Sequence, residues 1–221
     1  MFIGHFAVGC AAKRFAPKTA LGPLLVAPLL ADLLWPVFLL LGIEQVQINV
    51  PGANPFLTLT FLSYPWSHSL LMGLVWATLF GGAYHAMTGY GRGAVVIGLA
   101  VLSHWVLDAV THVPDLPLWP WASPRVGLGL WNSVPATAIV ESLMLAAGVW
   151  LYTSGTTARD RIGRYAWWGF VLFLIAGYGM NLRGVAPPSV TTLAWTAGIA
   201  GGLTILWGWW ADRHRTTASG G

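Results

Sequence analysis

The chain has 221 residues, 56% of them hydrophobic and only 8% charged, with a mean hydropathy of +0.67. Such a composition excludes a soluble globular domain and predicts an integral membrane protein, an all-α polytopic bundle. The net charge of +4 and a pI near 9.6 do not signal a nucleic-acid partner, because the basic residues sit in short clusters between apolar runs.

Residues 2–12 read as a short apolar helix carrying His5, too short to cross a bilayer. Lys13 and Arg14 follow this run rather than precede it, unlike a cleavable signal peptide. Cys10, the single cysteine, excludes an intrachain disulfide and a cysteine-based metal cluster. The first full span is 19–42, with one charge, Asp32, amid LLADLLW; a loop at 43–56 contains Glu44 and no basic residue. The segment 57–88 is too long for one straight crossing and is divided by Pro65, with His68 just after the break and His85 near the far end. A turn at 89–93 leads to the third span, 94–113, and then to a Pro-, Trp- and Gly-rich loop, 114–132, that holds Asp115 and Arg125. Asn132, ahead of Pro135, reads as a helix cap. The fourth span, 133–153, has a single charge, Glu141; the loop 154–164 is basic; the fifth span is 165–180 and the last 191–211. Residues 1–211 thus form one transmembrane domain of six spans plus an N-terminal half-helix, with a disordered tail expected over 212–221. Nine of the eleven Lys and Arg residues fall on one side, and only Arg125 and Arg183 on the other. The positive-inside rule then places both termini in the cytoplasm.

The stretch 103–115, SHWVLDAVTHVPD, carries the chemistry. His104, Asp108 and His112 recur every four residues and line one helix face over about 12 Å. Adjacent members can grip one ion while the outer two cannot share it, so Asp108 is placed to bridge two metals or to orient one ligand. Pro114 stops the helix, and Asp115 sits just beyond its end. At about 1.5 Å per residue from the outer end of each span, His104 and Glu141 lie about 12 Å deep and Asp32 about 15 Å. His68 shares that layer if its segment enters at 57 and stays near the surface if it enters at 66; His5 reaches the layer from the other side. Each has a plainer role: a buried pair for Asp32, a helix contact for Glu141, a helix start for His68, termination for Asp115. His85 and His214 read as interfacial. Ionisable residues within a bilayer are costly, however, and four histidines with two or three carboxylates form the ligand set of a hydrolytic site for one or two divalent ions, zinc first and manganese second.

His5 to Gly9 as His-x-x-x-Gly, an Asp in the next span, the pair His68-Ser69 and Ser103 to Asp108 as Ser-His-x-x-x-Asp together resemble the bacterial inner-membrane proteins known as predicted membrane-bound metal-dependent hydrolases. The similarity covers roughly residues 1–145, while 112–115 and the GLGLWNS run at 127–133 go beyond the family pattern. The resemblance implies a helical membrane domain holding a divalent-metal phosphoesterase or related hydrolase, with His5, Asp32, His68, His104 and Asp108 as ligands. The ligand chemistry is also similar to that of zinc-dependent phospholipase C, which uses a His-x-x-x-Asp helix and a later Glu, a role open to Glu141.

The expected activity is metal-assisted hydrolysis of a lipid-like or amphiphilic substrate, with Asp115 or Glu141 accepting the proton and Arg125 and Arg183 available to a phosphate. A metal or proton transporter would use similar ligands but needs polar residues leading to both faces, and the cytoplasmic half offers little beyond His85. A non-catalytic scaffold with a buried polar network is the third expectation.

Overall fold

The computed structural model describes residues 1–49 and 54–217. It is a helical bundle of eight α-helices among the described residues: α1 (Ile3–Phe15), α2 (Leu21–Leu40), α3 (Pro65–His68), α4 (Leu70–Thr88), α5 (Gly91–Thr111), α6 (Val134–Ser154), α7 (Arg161–Asn181) and α8 (Val190–Arg213). Five of these, α2, α4, α5, α6 and α8, are long and apolar enough to cross a membrane. The 21-residue α7 matches them in length, but Arg161, Arg164 and its Gly, Tyr and Trp residues make it less apolar.

Among the described residues, three two-stranded antiparallel ribbons join the helices: β1 (Gln45–Ile48) with β2 (Leu59–Ser63), β3 (Leu116–Pro117) with β4 (Arg125–Val126), and β5 (Thr156–Ala158) with β6 (Arg215–Thr217). The β1–β2 ribbon corrects the division of 57–88. Leu59–Ser63 is paired strand, Pro65 opens the single turn of α3, and the spanning helix begins only at Leu70, with the Ser69 hydroxyl accepting from the Met72 amide as its cap. His68 thus precedes the spanning helix, as in the second alternative, yet it is buried and shares the layer of Asp32 and His104, as in the first. Asn132 is likewise corrected as a cap: it lies in the short turn Leu130–Asn132, and the next residue, Ser133, caps α6 by accepting from Ala136.

The expected tail is ordered as far as Thr217; residues 218–221 lie outside the described residues. Asp212, in the last turn of α8, is buried and accepts from Lys13 Nζ (3.0 Å), the Leu21 amide (2.8 Å) and the Tyr152 hydroxyl (2.7 Å). Lys13, counted above as a basic loop residue, is thus an internal ion-pair partner. Arg215 stacks over Tyr152 and Trp167 and donates to Thr156 and to the Gly163 carbonyl, which holds β6 against the bundle.

The short α1 lies inside the bundle against α6, α2 and α5. Small residues allow that approach, as is usual where helices associate without a hydrophobic drive between them. A Cβ on Gly148 of α6 would overlap the Ala7 backbone. Gly9 rests on the Leu24 carbonyl, which Pro28 leaves without its helical N–H partner. Because α1 begins within the bundle, its first amides need acceptors that neither water nor lipid supplies. Glu141 of α6 provides one: its Oε2 accepts from Phe2 N (2.8 Å) and Gly4 N (3.1 Å).

Candidate metal centre

Four elements converge on Asp108, whose side chain is 3% exposed. Its own helix brings His104, with Nε2 3.1 Å from Oδ2. His112, the first extended residue after α5, turns its Nε2 back to 3.7 Å from the same oxygen. α1 brings His5, with Nε2 3.1 Å from Oδ1 and its ring stacked on His104 at 4.1 Å between centroids. The Met1 amino group also lies 2.6 Å from Oδ1. α3 brings His68, whose Nε2 is 4.0 Å from Asp108 Oδ2 and 3.5 Å from Oδ1 of Asp32 on α2. Two overlapping triads, His5–Asp32–His104 and His68–His104–Asp108, each have their ligand atoms within 4.8 Å of one another.

The outer nitrogens explain why the rings point inward. His104 Nδ1 donates to the Pro28 carbonyl (2.8 Å), an acceptor only, so the proton of a neutral ring is on Nδ1 and the Nε2 lone pair faces Asp108. His112 Nδ1 donates to Asp115 Oδ1 (2.9 Å), which also accepts from the Tyr64 hydroxyl (2.9 Å). Burial and the neighbouring Asp115 raise the Tyr64 pKa, so the phenol stays protonated and donates. His68 Nδ1 lies 2.6 Å from Ser67 Oγ, which gives its own proton to Glu44 Oε2 at 2.6 Å. Glu44 Oε1 in turn accepts from the Trp66 and Ser67 amides at 2.8 Å each. Three imidazoles thus present Nε2 to carboxylate oxygens, acceptor against acceptor. Positive charge relieves that opposition: the Met1 ammonium already supplies some at Asp108 Oδ1, and protons on the rings or a metal ion would supply the rest. His104 Nε2, though 3.1 Å from Asp108, is not aligned for a hydrogen bond with it, and His5 Nδ1 has no partner among the described residues. Zinc bonds of about 2.0–2.2 Å to N and O, set tetrahedrally, put donor atoms about 3.3–3.5 Å apart, close to several separations found here.

The sequence-selected residues divide clearly. His5, Asp32, His68, His104, Asp108 and His112 meet in one cluster. Asp115 stands behind His112 and orients it. Glu141 instead holds the N-terminus of α1; its other oxygen, Oε1, is buried without a partner among the described residues, and Glu141 and Asp32 line the same cavity of about 490 Å³. Arg125 is spent partly on the Phe61 and Leu62 carbonyls of β2 (3.3 and 2.8 Å), and Arg183 is exposed just past α7; neither touches the cluster. His85 is exposed near the end of α4, and His214 pairs with Asp160 at 2.7 Å, both remote from the centre.

Sequence reasoning missed Glu44, Ser67 and Tyr64 as orienting groups. The available signal was a lone acid in a loop without basic partners, facing a Ser-His pair. The GLGLWNS run also acquires a role: Leu128 N donates to the Ala109 carbonyl (2.8 Å) and Gly129 N to the His112 carbonyl (2.7 Å), satisfying the free end of α5. Gly129 adopts φ +72°, and Trp131 covers the His112 ring at 4.1 Å. No family model matches the sequence, and the searches of curated proteins and of solved structures found no match.

Proposed function

We propose that the chain is a membrane-embedded divalent-metal-dependent hydrolase, a phosphoesterase acting on an amphiphilic substrate. The observation that carries this reading is the set of three histidines whose outer nitrogens are occupied and whose Nε2 atoms face Asp108 and Asp32. Protonating several rings within a few ångströms inside a bilayer is costly, whereas a divalent cation satisfies the same lone pairs and carboxylates together. His5, Asp32, His68, His104, Asp108 and His112 would hold zinc, or manganese, as one or two ions. Such an ion lowers the pKa of a bound water towards about 7 and polarises a phosphoryl oxygen. Asp108 turns Oδ1 to His5 and the Met1 amino group and Oδ2 to His104 and His112, so it would be the ligand that these histidines share. Glu141, which lines the cavity and whose buried Oε1 has no partner among the described residues, is the candidate proton acceptor, and Asp115 serves His112. Arg125 and Arg183, the two cations at the end of the bundle nearer the cluster, are placed for a headgroup phosphate. With nine cations at the other end, the chain would lie in the inner membrane of a bacterium with its C-terminal end in the cytoplasm and the centre towards the outer leaflet; Met1, 2.6 Å from Asp108, departs from the expected cytoplasmic N-terminus and lies inside the bundle.

A transit site is less well supported. Between this cluster and the Lys13–Asp212–Tyr152 network lie Phe6, Cys10, Leu24, Leu25 and Leu145, all buried and none a proton carrier in an apolar layer.

The test is metal content by mass spectrometry on detergent-purified protein, wild type beside His104→Ala and Asp108→Ala, followed by a phosphoesterase screen. One or two zinc or manganese ions per chain, lost in both variants while the helical signal persists, support the reading. No stoichiometric metal in wild type after reloading overturns it.

A further inference from the structure

The 490 Å³ cavity beside the cluster has an origin in the sequence. α7 presents Phe173, Gly177 and Met180 to it, and α8 presents Leu193, Ala197 and Gly201, each set recurring at three to four residues and so forming one helix face. Glycine and alanine at the middle of both faces leave open the volume that larger side chains would fill. A Cβ on Gly177 would meet nothing nearer than the Phe2 ring at 4.0 Å. The α8 face runs from Leu193 to Thr204, or about 16 Å along the helix. One leaflet of a bilayer contributes about 15 Å of hydrocarbon. Phe173 and Met180, on the cavity edge, are exposed on the flank of the bundle (46% and 67%), so the edge reaches the surface that faces lipid. On the opposite wall stands Asp32, 41% exposed and 3.5 Å from His68. The cavity is therefore an apolar slot, one leaflet deep, with a ligand carboxylate of the candidate centre in its wall.

We infer that this slot takes the single hydrocarbon chain of a phosphate-ester amphiphile, admitted sideways between α7 and α8, so that its headgroup is delivered at Asp32. This rests on the proposed phosphoesterase reading and narrows its substrate to esters bearing one alkyl or prenyl chain. A chain leaving lipid for the slot gains little from burial itself, so selectivity comes from shape, and a side chain that fills the slot removes it.

The experiment uses the full chain in detergent, loaded with zinc and irradiated with hexadecyl phosphate that carries a diazirine at the end of its alkyl chain. Labelled peptides are mapped in wild type and in Gly177→Leu, with Ala197→Trp as a second filling variant and zinc content measured on each. Expected are labels concentrated on 173–181 and 193–204, falling about tenfold or more in the filled variants at unchanged zinc content. Labels spread evenly over the lipid-facing flanks, or undiminished in both filled variants, overturn the slot. Labels in the slot of a protein that binds no zinc keep the chain site and overturn the hydrolase reading, so the two failures are distinguishable.

Discussion

Replacing Glu44 by Gln changes one atom of a group that touches no candidate ligand, yet the structure predicts a change at the centre. In the native protein Oε1 accepts two amides at 2.8 Å, and Oε2 takes the Ser67 proton at 2.6 Å. The glutamine amide keeps an oxygen for the two backbone N–H groups, so α3 remains capped, but it places an N–H donor opposite a hydroxyl that was itself donating. A hydrogen bond to a charged acceptor, worth about 1.5–3 kcal/mol, is lost. The Ser67 proton then turns to His68 Nδ1, 2.6 Å away, which moves the ring proton onto Nε2, the atom facing Asp32 and Asp108. The expected cost is about 10–100-fold in zinc affinity, as for other groups that orient metal-bound histidines. Chelator-competition titration of purified protein measures it, with thermal unfolding of the metal-free form as control. Ser67→Ala should cost a similar factor, and the double variant no more than Ser67→Ala alone, because the two groups act in series. An unchanged zinc affinity in Glu44→Gln would refute the orienting chain. A fall in metal-free stability without a change in affinity would make Glu44 a helix cap only.

Tyr64→Phe removes one of two donors to Asp115 and should weaken zinc binding less than Asp115→Ala, which leaves His112 Nδ1 without its acceptor; the same titration ranks them. Gly148→Val forces α1 off α6 and should cost about 1–3 kcal/mol of stability together with His5's place at Asp108, read as a lower melting temperature and reduced metal content. Asp212→Ala strands the buried Lys13 ammonium and should cost about 3–5 kcal/mol in chemical unfolding, with Lys13→Met/Asp212→Leu recovering most of it. The Gly163 amide, and then His214, hold the Asp160 carboxyl below its usual range. A lowered folded-state pKa adds stability above the unfolded value and loses it as pH falls through the folded one. Asp160→Ala should accordingly melt below wild type at neutral pH, with the gap closing below about pH 4.

Much of the membrane bundle was legible because apolar runs of span length leave few alternatives, and helices α2, α5, α6 and α8 begin and end close to where the apolar runs do. The segment before Leu70 was not. LTFLS is as apolar as a helix, and only its pairing with QVQI makes it a strand. In the centre, the four-residue spacing of His104, Asp108 and His112 is a local pattern that one helix turns directly into proximity. Glu44 and Ser67 are 23 positions apart and meet only through the hairpin, a relation that periodicity does not carry. Glu141 was visible as an intramembrane acid, but its tie to α1 depends on where α1 begins, and that depth is set by the packing of Ala7 on Gly148.

The half-helix α1 also sets a clock. Its leading amides wait for a carboxylate that is synthesised 139 positions after Phe2, and no lipid group can stand in meanwhile. Until α6 has entered the bilayer, α1 has no settled berth, and His5 has no fixed approach to Asp108 even though α5 is already in place. The centre therefore closes from its earliest residue by means of one of the later helices. A nascent chain released or clipped before α6 carries every one of the candidate ligands but lacks the carboxylate that seats His5 beside Asp108, so possession of the ligand residues and assembly of the cluster are separate events in this fold.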